Sequence, residues 1–206
     1  MPSRPTIWSK TRTPTTARVP CWQTTLSNQP YFLTAIHCVG SQTVASTLVN
    51  YWFYRSSACN SNTPGSYQST AGGAAFLWNR SDTTTNTRNP IGTDTSFLRL
   101  NAAPPSGVMF AGWKTSRQPI SNSVPLTALH HPAGGVLRQS TGTISNMGVL
   151  TPSSLISTPD PAQPMYQITW SSGLTEGGSS GSGLFYNGTT ANPQLVGQLW
   201  GICNLQ

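Results

Sequence analysis

Acidic side chains are almost missing from this sequence of 206 residues: Asp82, Asp94, Asp160 and Glu176 are the only four. Charged residues of both signs make up 7% of the chain, where an average soluble protein carries roughly 25%. The formal net charge of +7 therefore reflects a shortage of acids, and the eleven lysines and arginines are spread from Arg4 to Arg138 without clustering. Such a distribution lacks the phosphate-facing density that nucleic-acid binding needs, so no nucleic-acid partner is expected. Long apolar runs are missing as well. No stretch approaches the ~20 apolar residues of a membrane span, which excludes a membrane partner of that kind, and the opening MPSRPTIWSKTRTPTTARVPCW lacks the apolar centre of a secretory signal.

Cysteine and histidine are equally scarce. Cys21, Cys38, Cys59 and Cys203 form no CxxC and pair with no histidine at metal-like spacing, so neither a metal nor a cofactor is expected. Disulfides are the better reading of four cysteines, and they place the protein in an oxidising, extracellular compartment. Sustained helical periodicity is the remaining absence.

What fills the gap is Ser, Thr, Asn, Gly and Pro, interrupting short runs of β-branched and aromatic residues. That pattern predicts an all-β protein. Strands are expected at Tyr31–Ile36, Thr47–Tyr54, Ala74–Trp78 and Ser96–Leu100, and then at Leu126–Leu129, Arg138–Asn146, Tyr166–Trp170, Gly183–Tyr186 and Leu195–Trp200. Between the two groups lies a Pro/Gly-rich stretch. The expected organisation is a poorly ordered arm over 1–18, a β-barrel over 19–101, a linker over 102–125 and a second barrel over 126–206.

Three segments place a reactive residue beside an apolar strand or in a glycine turn. In FLTAIHC a strand ends on His37, with Cys38 next to it; in GTDTSFLRL, Asp94 precedes an apolar strand; and EGGSSGSGLF packs glycines around Ser179, Ser180 and Ser182. Taken alone, His37 reads as a structural histidine and Asp94 as a turn aspartate, whereas the third segment, the most specific of the three, favours a functional turn over a flexible loop. Together, in the order His, Asp, Ser, they suit a nucleophilic hydroxyl, a base and an orienting carboxylate. The glycines permit a sharp turn whose successive N–H groups share one concavity.

Two alternatives are weaker. Gly177-x-Ser179-x-Gly181 also fits the nucleophile elbow of α/β-hydrolases, but there the histidine follows the serine, and no histidine lies beyond His131. His130 and His131 compete with His37 for the role of base, yet both follow Asp94.

These motifs resemble the trypsin-like hallmarks Thr-Ala-Ala-His-Cys and Gly-Asp-Ser-Gly-Gly. More closely, YFLTAIHC, VNYWFY, the HHP at His130, TEGGSSGSGLF and LVGQLWG resemble bacterial lysyl endopeptidases over roughly residues 21 to 203. The resemblance implies two antiparallel six-stranded-type β-barrels of the chymotrypsin-like double-barrel class. It also implies a secreted serine endopeptidase acting on protein or peptide substrates, expected to be monomeric. His37 would be the general base, Asp94 its orienter and Ser180 the nucleophile, with the backbone N–H groups of Gly178 and Ser180 as oxyanion hole.

It further implies a Cys21–Cys38 disulfide, worth about 3 kcal/mol. Cys59 and Cys203 match family cysteines whose partners lie in an N-terminal segment absent here, which leaves them either unpaired or paired with each other. The chain also stops just past the strand after the nucleophile, so the C-terminal barrel is expected to be incomplete and the pocket acid to be missing. Leu174 stands six residues before Ser180, where trypsin carries that acid. Lysine preference is thus implied by resemblance alone, with only Lys10 and Lys114 in the chain. A truncated, inactive domain that at most binds peptides is the competing expectation.

Trypsin-like zymogens place an aspartate just before the nucleophile, to pair with a freed N-terminus, and Ser179 occupies that position here. Activity is therefore expected not to require one particular N-terminal residue. Recombinant chains with different N-terminal residues should cleave a peptide at equal rates, and activity confined to one of them would contradict this.

Overall fold

The computed structural model describes residues 7–10, 21–22, 29–80, 94–113, 123–150, 155–156, 165–186 and 193–200. Along the first half run β1 (Ile7–Lys10), β2 (Cys21–Trp22), β3 (Tyr31–Ala35), the short helix α1 (Gln42–Ala45), β4 (Val49–Trp52), β5 (Gln68–Ala71), β6 (Ala74–Arg80) and β7 (Thr95–Leu100). The second half carries β8 (Gly112–Trp113), β9 (Pro125–His130), β10 (Arg138–Leu150), β11 (Leu155–Ile156), β12 (Met165–Ser172), β13 (Gly183–Tyr186) and β14 (Gln194–Gln198), with a 3-10 turn at Pro132–Gly134.

The first half forms a four-stranded sheet in the order β2-β3-β7-β6 and a three-stranded sheet in the order β1-β4-β5. The second half is one seven-stranded sheet, β11-β10-β9-β13-β14-β8, with β12 also on β10. All pairings are antiparallel except β14 with β8. The protein is all-β, as its composition predicts.

Period-two alternation decides which residues enter the core. On β7, Ser96, Leu98 and Leu100 are buried while Arg99 is exposed. On β3, Phe32 and Thr34 face the same way. Phe32, Leu98, Leu100, Leu48, Val39 and Trp52 form the core of the first half. In the second half Leu126, Ala128, Ile144 and Leu184 do so, flanked by Tyr166, Ile168 and Trp170.

A third cluster joins the halves: Phe185 and Leu195 pack with Tyr31, Leu33, Ala111 and Leu129. Tyr31 also stacks on Phe97 at 5.2 Å. β3 is thus packed on both faces, which holds rigid the strand that leads to His37.

Several elements stand outside the strands that the sequence predicts. Within the segment 1–18, Ile7–Lys10 pairs antiparallel with β4 from Ile7↔Trp52 to Lys10↔Val49. An open sheet edge offers unpaired backbone groups that an extended segment of almost any composition can satisfy. β5, the segment QSTA, is a strand without an apolar run; its backbone pairs with β4 and its side chains are mostly exposed. The helix α1 forms because Ser41 caps it, its hydroxyl accepting the Val44 N–H at 3.3 Å.

Trp52 is fully buried and its indole N–H donates to Thr70 Oγ1 at 2.8 Å. Trp52→Ala should lower stability by about 3–5 kcal/mol through loss of buried area and the cavity left behind. The urea unfolding midpoint measures it.

Candidate active site

His37 sits in the turn that follows β3, and Asp94 immediately precedes β7. β3 and β7 are neighbours, in register from Tyr31↔Arg99 to Ala35↔Thr95, so the end of one strand meets the start of the other. Asp94 Oδ1 accepts the backbone N–H of His37 at 3.0 Å, and Oδ2 lies 2.5 Å from His37 Nδ1. The Asp94 side chain is only 10% exposed, whereas that of His37 is 45% exposed. The carboxylate is therefore a fixed support, and the ring keeps its far side open.

Asp94 adopts φ 48, the left-handed region that Asp tolerates better than most residues. Two donors hold it there through its carbonyl: the Ile36 N–H at 2.9 Å and the Gln198 side-chain amide at 2.7 Å. The buried Ser96 hydroxyl donates to Val39 O at 2.6 Å and closes the turn from the other side.

Ser180 lies in the turn between β12 and β13. Ser179 N–H bonds to Glu176 O at 3.0 Å and Ser182 N–H to Ser179 O at 3.1 Å. Gly178 takes φ 86 and Gly181 φ 77. At Gly178 a Cβ would lie 3.0 Å from the Ala133 backbone nitrogen and 3.2 Å from its Cα, so glycine is needed on grounds of both conformation and space. The Gly177 carbonyl accepts the Ala133 N–H at 2.8 Å. Because a trans peptide sets its C=O and N–H in opposite directions, the Gly178 N–H points away from the Ala133 turn.

The two parts of the site meet through β14. Gly181 N–H donates to Leu199 O at 2.7 Å and Leu199 N–H to Ser182 O at 2.8 Å, which grips the Ser180 turn. The adjacent Gln198 donates to the Asp94 carbonyl and, at 3.4 Å, to Thr95 Oγ1. One strand end thus holds the serine turn and the aspartate together. Among the described residues, no hydrogen bond joins Ser180 to His37.

Comparison with known proteins then decides the family. The family model described as "Lysyl endopeptidase, C-terminal domain" matches residues 23–204. The chain belongs to the lysyl endopeptidase C-terminal domain family. The lysyl endopeptidase of Pseudomonas aeruginosa (strain PAO1) is 33% identical over 189 residues, covering 88% of this chain and 37% of that protein. The chain thus spans little more than a third of the length of that relative. Among solved structures, the Rv3671c protease of M. tuberculosis H37Rv, in its inactive form, aligns with a TM-score of 0.51 and 18% identity, covering 98% of this chain and 78% of that one. Deg5 aligns with a TM-score of 0.51 and 14% identity, covering 87% and 73%. These structural likenesses speak for the fold, the chymotrypsin-like all-β class.

In this lysyl endopeptidase-type domain, His130 and His131 lie away from the His37–Asp94 pair and have other partners. His130 Nδ1 contacts Ser179 Oγ at 2.9 Å, and His131 Nδ1 contacts Gly135 O at 2.7 Å while its ring stacks on Tyr54. The disulfide expected between Cys21 and Cys38 is not formed: Cys38 is a buried free thiol, and Cys21 lies opposite Phe32 in the β2–β3 pairing. Cys38 instead packs in the core of the first half, beside the His37 ring. Cys59 is an exposed free thiol, and Cys203 lies outside the described residues.

Sequence reasoning passed over Gln198 and Ala133. Gln198 stands within the LVGQLWG motif and Ala133 directly after HHP, but nothing in either segment signals a partner far away in the chain.

The Asp94 carboxylate, hydrogen-bonded to the ring, and then the Cys38 thiol raise the His37 pKa from 6.5 to about 10, against the opposing effect of partial burial. The folded pKa exceeds the unfolded one. The pair's stabilising contribution is therefore complete below the ordinary histidine range and is lost as pH rises through about 10. NMR titration should give His37 a midpoint well above 6.5, falling toward the ordinary range in Asp94→Asn. Equal midpoints in the two proteins would contradict the assignment of cause.

Proposed function

We propose that this domain is a serine endopeptidase that cleaves peptide bonds by acyl transfer, with Ser180 as nucleophile, His37 as general base and Asp94 as the group that orients the base. The observation that carries the reading is the link through Gln198 and Leu199. It ties the Asp94–His37 pair to the Ser180 turn across the two halves of the molecule.

The roles follow from the geometry. Asp94 accepts at His37 Nδ1, which leaves Nε2 as the ring nitrogen available to take a proton. Ser180 attacks the scissile carbonyl as His37 removes its hydroxyl proton, and the resulting imidazolium is stabilised by Asp94. His37 then protonates the leaving amine, and water releases the acyl-enzyme by the same steps. The N–H groups of Gly178 and Ser180 serve as oxyanion hole. The orientation of the Gly177–Gly178 peptide, with its carbonyl on Ala133, supports this. Because the base must be neutral to accept a proton, the elevated His37 pKa predicts activity that rises with pH across the alkaline range.

On this reading residues 19–101 supply His37 and Asp94, residues 126–206 supply Ser180, and 102–125 connect them. The substrate is a protein or peptide, met outside the cell by a monomer. Cleavage after lysine is taken from the name of the P. aeruginosa relative. No side chain of this chain is assigned to that preference, and Leu174, six residues before Ser180, is apolar and 61% exposed.

A serine-directed peptidyl phosphonate should label the folded chain at Ser180. Ser180→Ala should abolish labelling, and Asp94→Asn should slow it by about 10⁴-fold through the wrong tautomer. A folded wild-type chain that takes no label would favour the alternative, a domain that only binds peptides.

A further inference from the structure

Beneath the Ser180 turn lies a chain of polar groups that the proposed reaction does not use. Ser179, His130 and Ser140 are 0%, 1% and 1% exposed. His130 ends β9, Ser140 lies near the start of β10, and β9 and β10 are paired. Their contacts run from Glu176 N–H to Ser179 Oγ at 3.4 Å and from Ser179 Oγ to His130 Nδ1 at 2.9 Å. They continue from His130 Nε2 to Ser140 Oγ at 2.9 Å and from Ser140 Oγ to Leu174 O at 3.2 Å.

The proton positions can be assigned from both ends of this network. Leu174 O can only accept, so the Ser140 hydroxyl donates to it and accepts from His130 Nε2–H. The His130 Nδ1 is then a bare acceptor for the Ser179 hydroxyl. Ser179 Oγ in turn accepts the Glu176 N–H. One neutral tautomer, protonated at Nε2, satisfies these four contacts in a single direction. The circuit starts at Glu176 and returns to Leu174, so it staples the segment just before the nucleophile to two strands of the sheet. Gly173 allows the closing approach: at φ +69, a Cβ there would lie 2.7 Å from Ser140 Oγ.

We propose that His130 is a positioning residue for the reaction, holding the Gly178–Ser180 backbone in its donating geometry through Ser179. This rests on the serine endopeptidase reading above. The neighbouring Ala133 turn, which begins directly after His131, holds the Gly177 carbonyl, so the Gly177–Gly178 peptide is clamped from the same β9–β10 connection. A group that orients the oxyanion donors acts on the transition state and leaves ground-state binding almost untouched.

The test compares wild type with Ser179→Ala, His130→Ala and His130→Asn in the full chain. Ser179→Ala is the smaller change and keeps the test decisive where His130→Ala fails to fold. Both alanine variants should lower kcat for a peptide amide by about 10- to 100-fold at unchanged KM, less than the about 10²- to 10³-fold that loss of an oxyanion donor itself costs. Affinity for a peptide boronate should fall by the same factor as kcat/KM. His130→Asn, whose side-chain oxygen can stand near Nδ1 and accept from Ser179, should recover part of the loss.

Hydrogen exchange supplies a readout that needs no activity. Amides of residues 174–182 should exchange at least about tenfold faster in Ser179→Ala, with β9 and β10 as protected as before. Wild-type kcat and wild-type exchange in Ser179→Ala would overturn the proposal, as would loosening spread evenly over both halves. A wild type that neither turns over nor takes label would instead refute the endopeptidase reading, leaving exchange to decide the role of the circuit.

Discussion

Asp94 is the point on which the two halves of this molecule agree. Its carboxylate receives the backbone and the ring of His37, and its carbonyl receives Ile36 from its own half and Gln198 from the other. Four contacts on one residue are thus made by two segments remote from it in sequence, 36–37 and 198. The left-handed backbone at φ 48 makes this possible, because it turns carboxylate and carbonyl toward different neighbours. Such a conformation costs on the order of 1 kcal/mol or more and persists where the surroundings over-determine it. Here they do so from both halves of the molecule.

A chain with four acids has few carboxylates with which to join its halves by salt bridges. The His37–Asp94 ion pair lies within the first half. The seam is built instead from the Phe185, Leu195, Tyr31 and Leu33 cluster and from hydrogen bonds with at most one charged partner. Arg138, at the start of β10, donates to Ser56 Oγ at 3.1 Å and Ser61 O at 3.0 Å, and also meets Asn62 Oδ1. Gln198 does the corresponding work on the far side with a neutral amide. Apolar packing and neutral hydrogen bonds are screened far less by salt than exposed charge pairs are. The site therefore rests on a seam that changes little with ionic strength.

The Ser180 turn shows the same economy. It has no charged anchor; its shape comes from Gly178 and Gly181 at positive φ and from backbone bonds to Leu199 and Ala133. The Ser179 and Ser140 hydroxyls and the His130 imidazole beneath it are satisfied in one consistent proton arrangement, which is what allows these groups to be buried there without a large cost. Ser179 can occupy this interior position because His130 and the Glu176 N–H supply it with partners.

The sequence by itself determined most of the strands and the identity of the candidate residues. Alternation in TSFLRL records which side chains meet their own sheet's core, and β7 and β9 lie within a residue or so of where the apolar runs put them. His37, Asp94 and Ser180 were legible because glycine turns and strand ends leave a local signature. QSTA became a strand through backbone pairing that no side chain advertises, and Ile7–Lys10 did so by completing a sheet edge. The free thiol of Cys38, the reach of Gln198 to Asp94, and the pairing of His130 with Ser179 were decided only by the tertiary structure. Each depends on the distance between segments far apart in the chain, and a linear pattern encodes the burial of a residue without naming the partner it will find there.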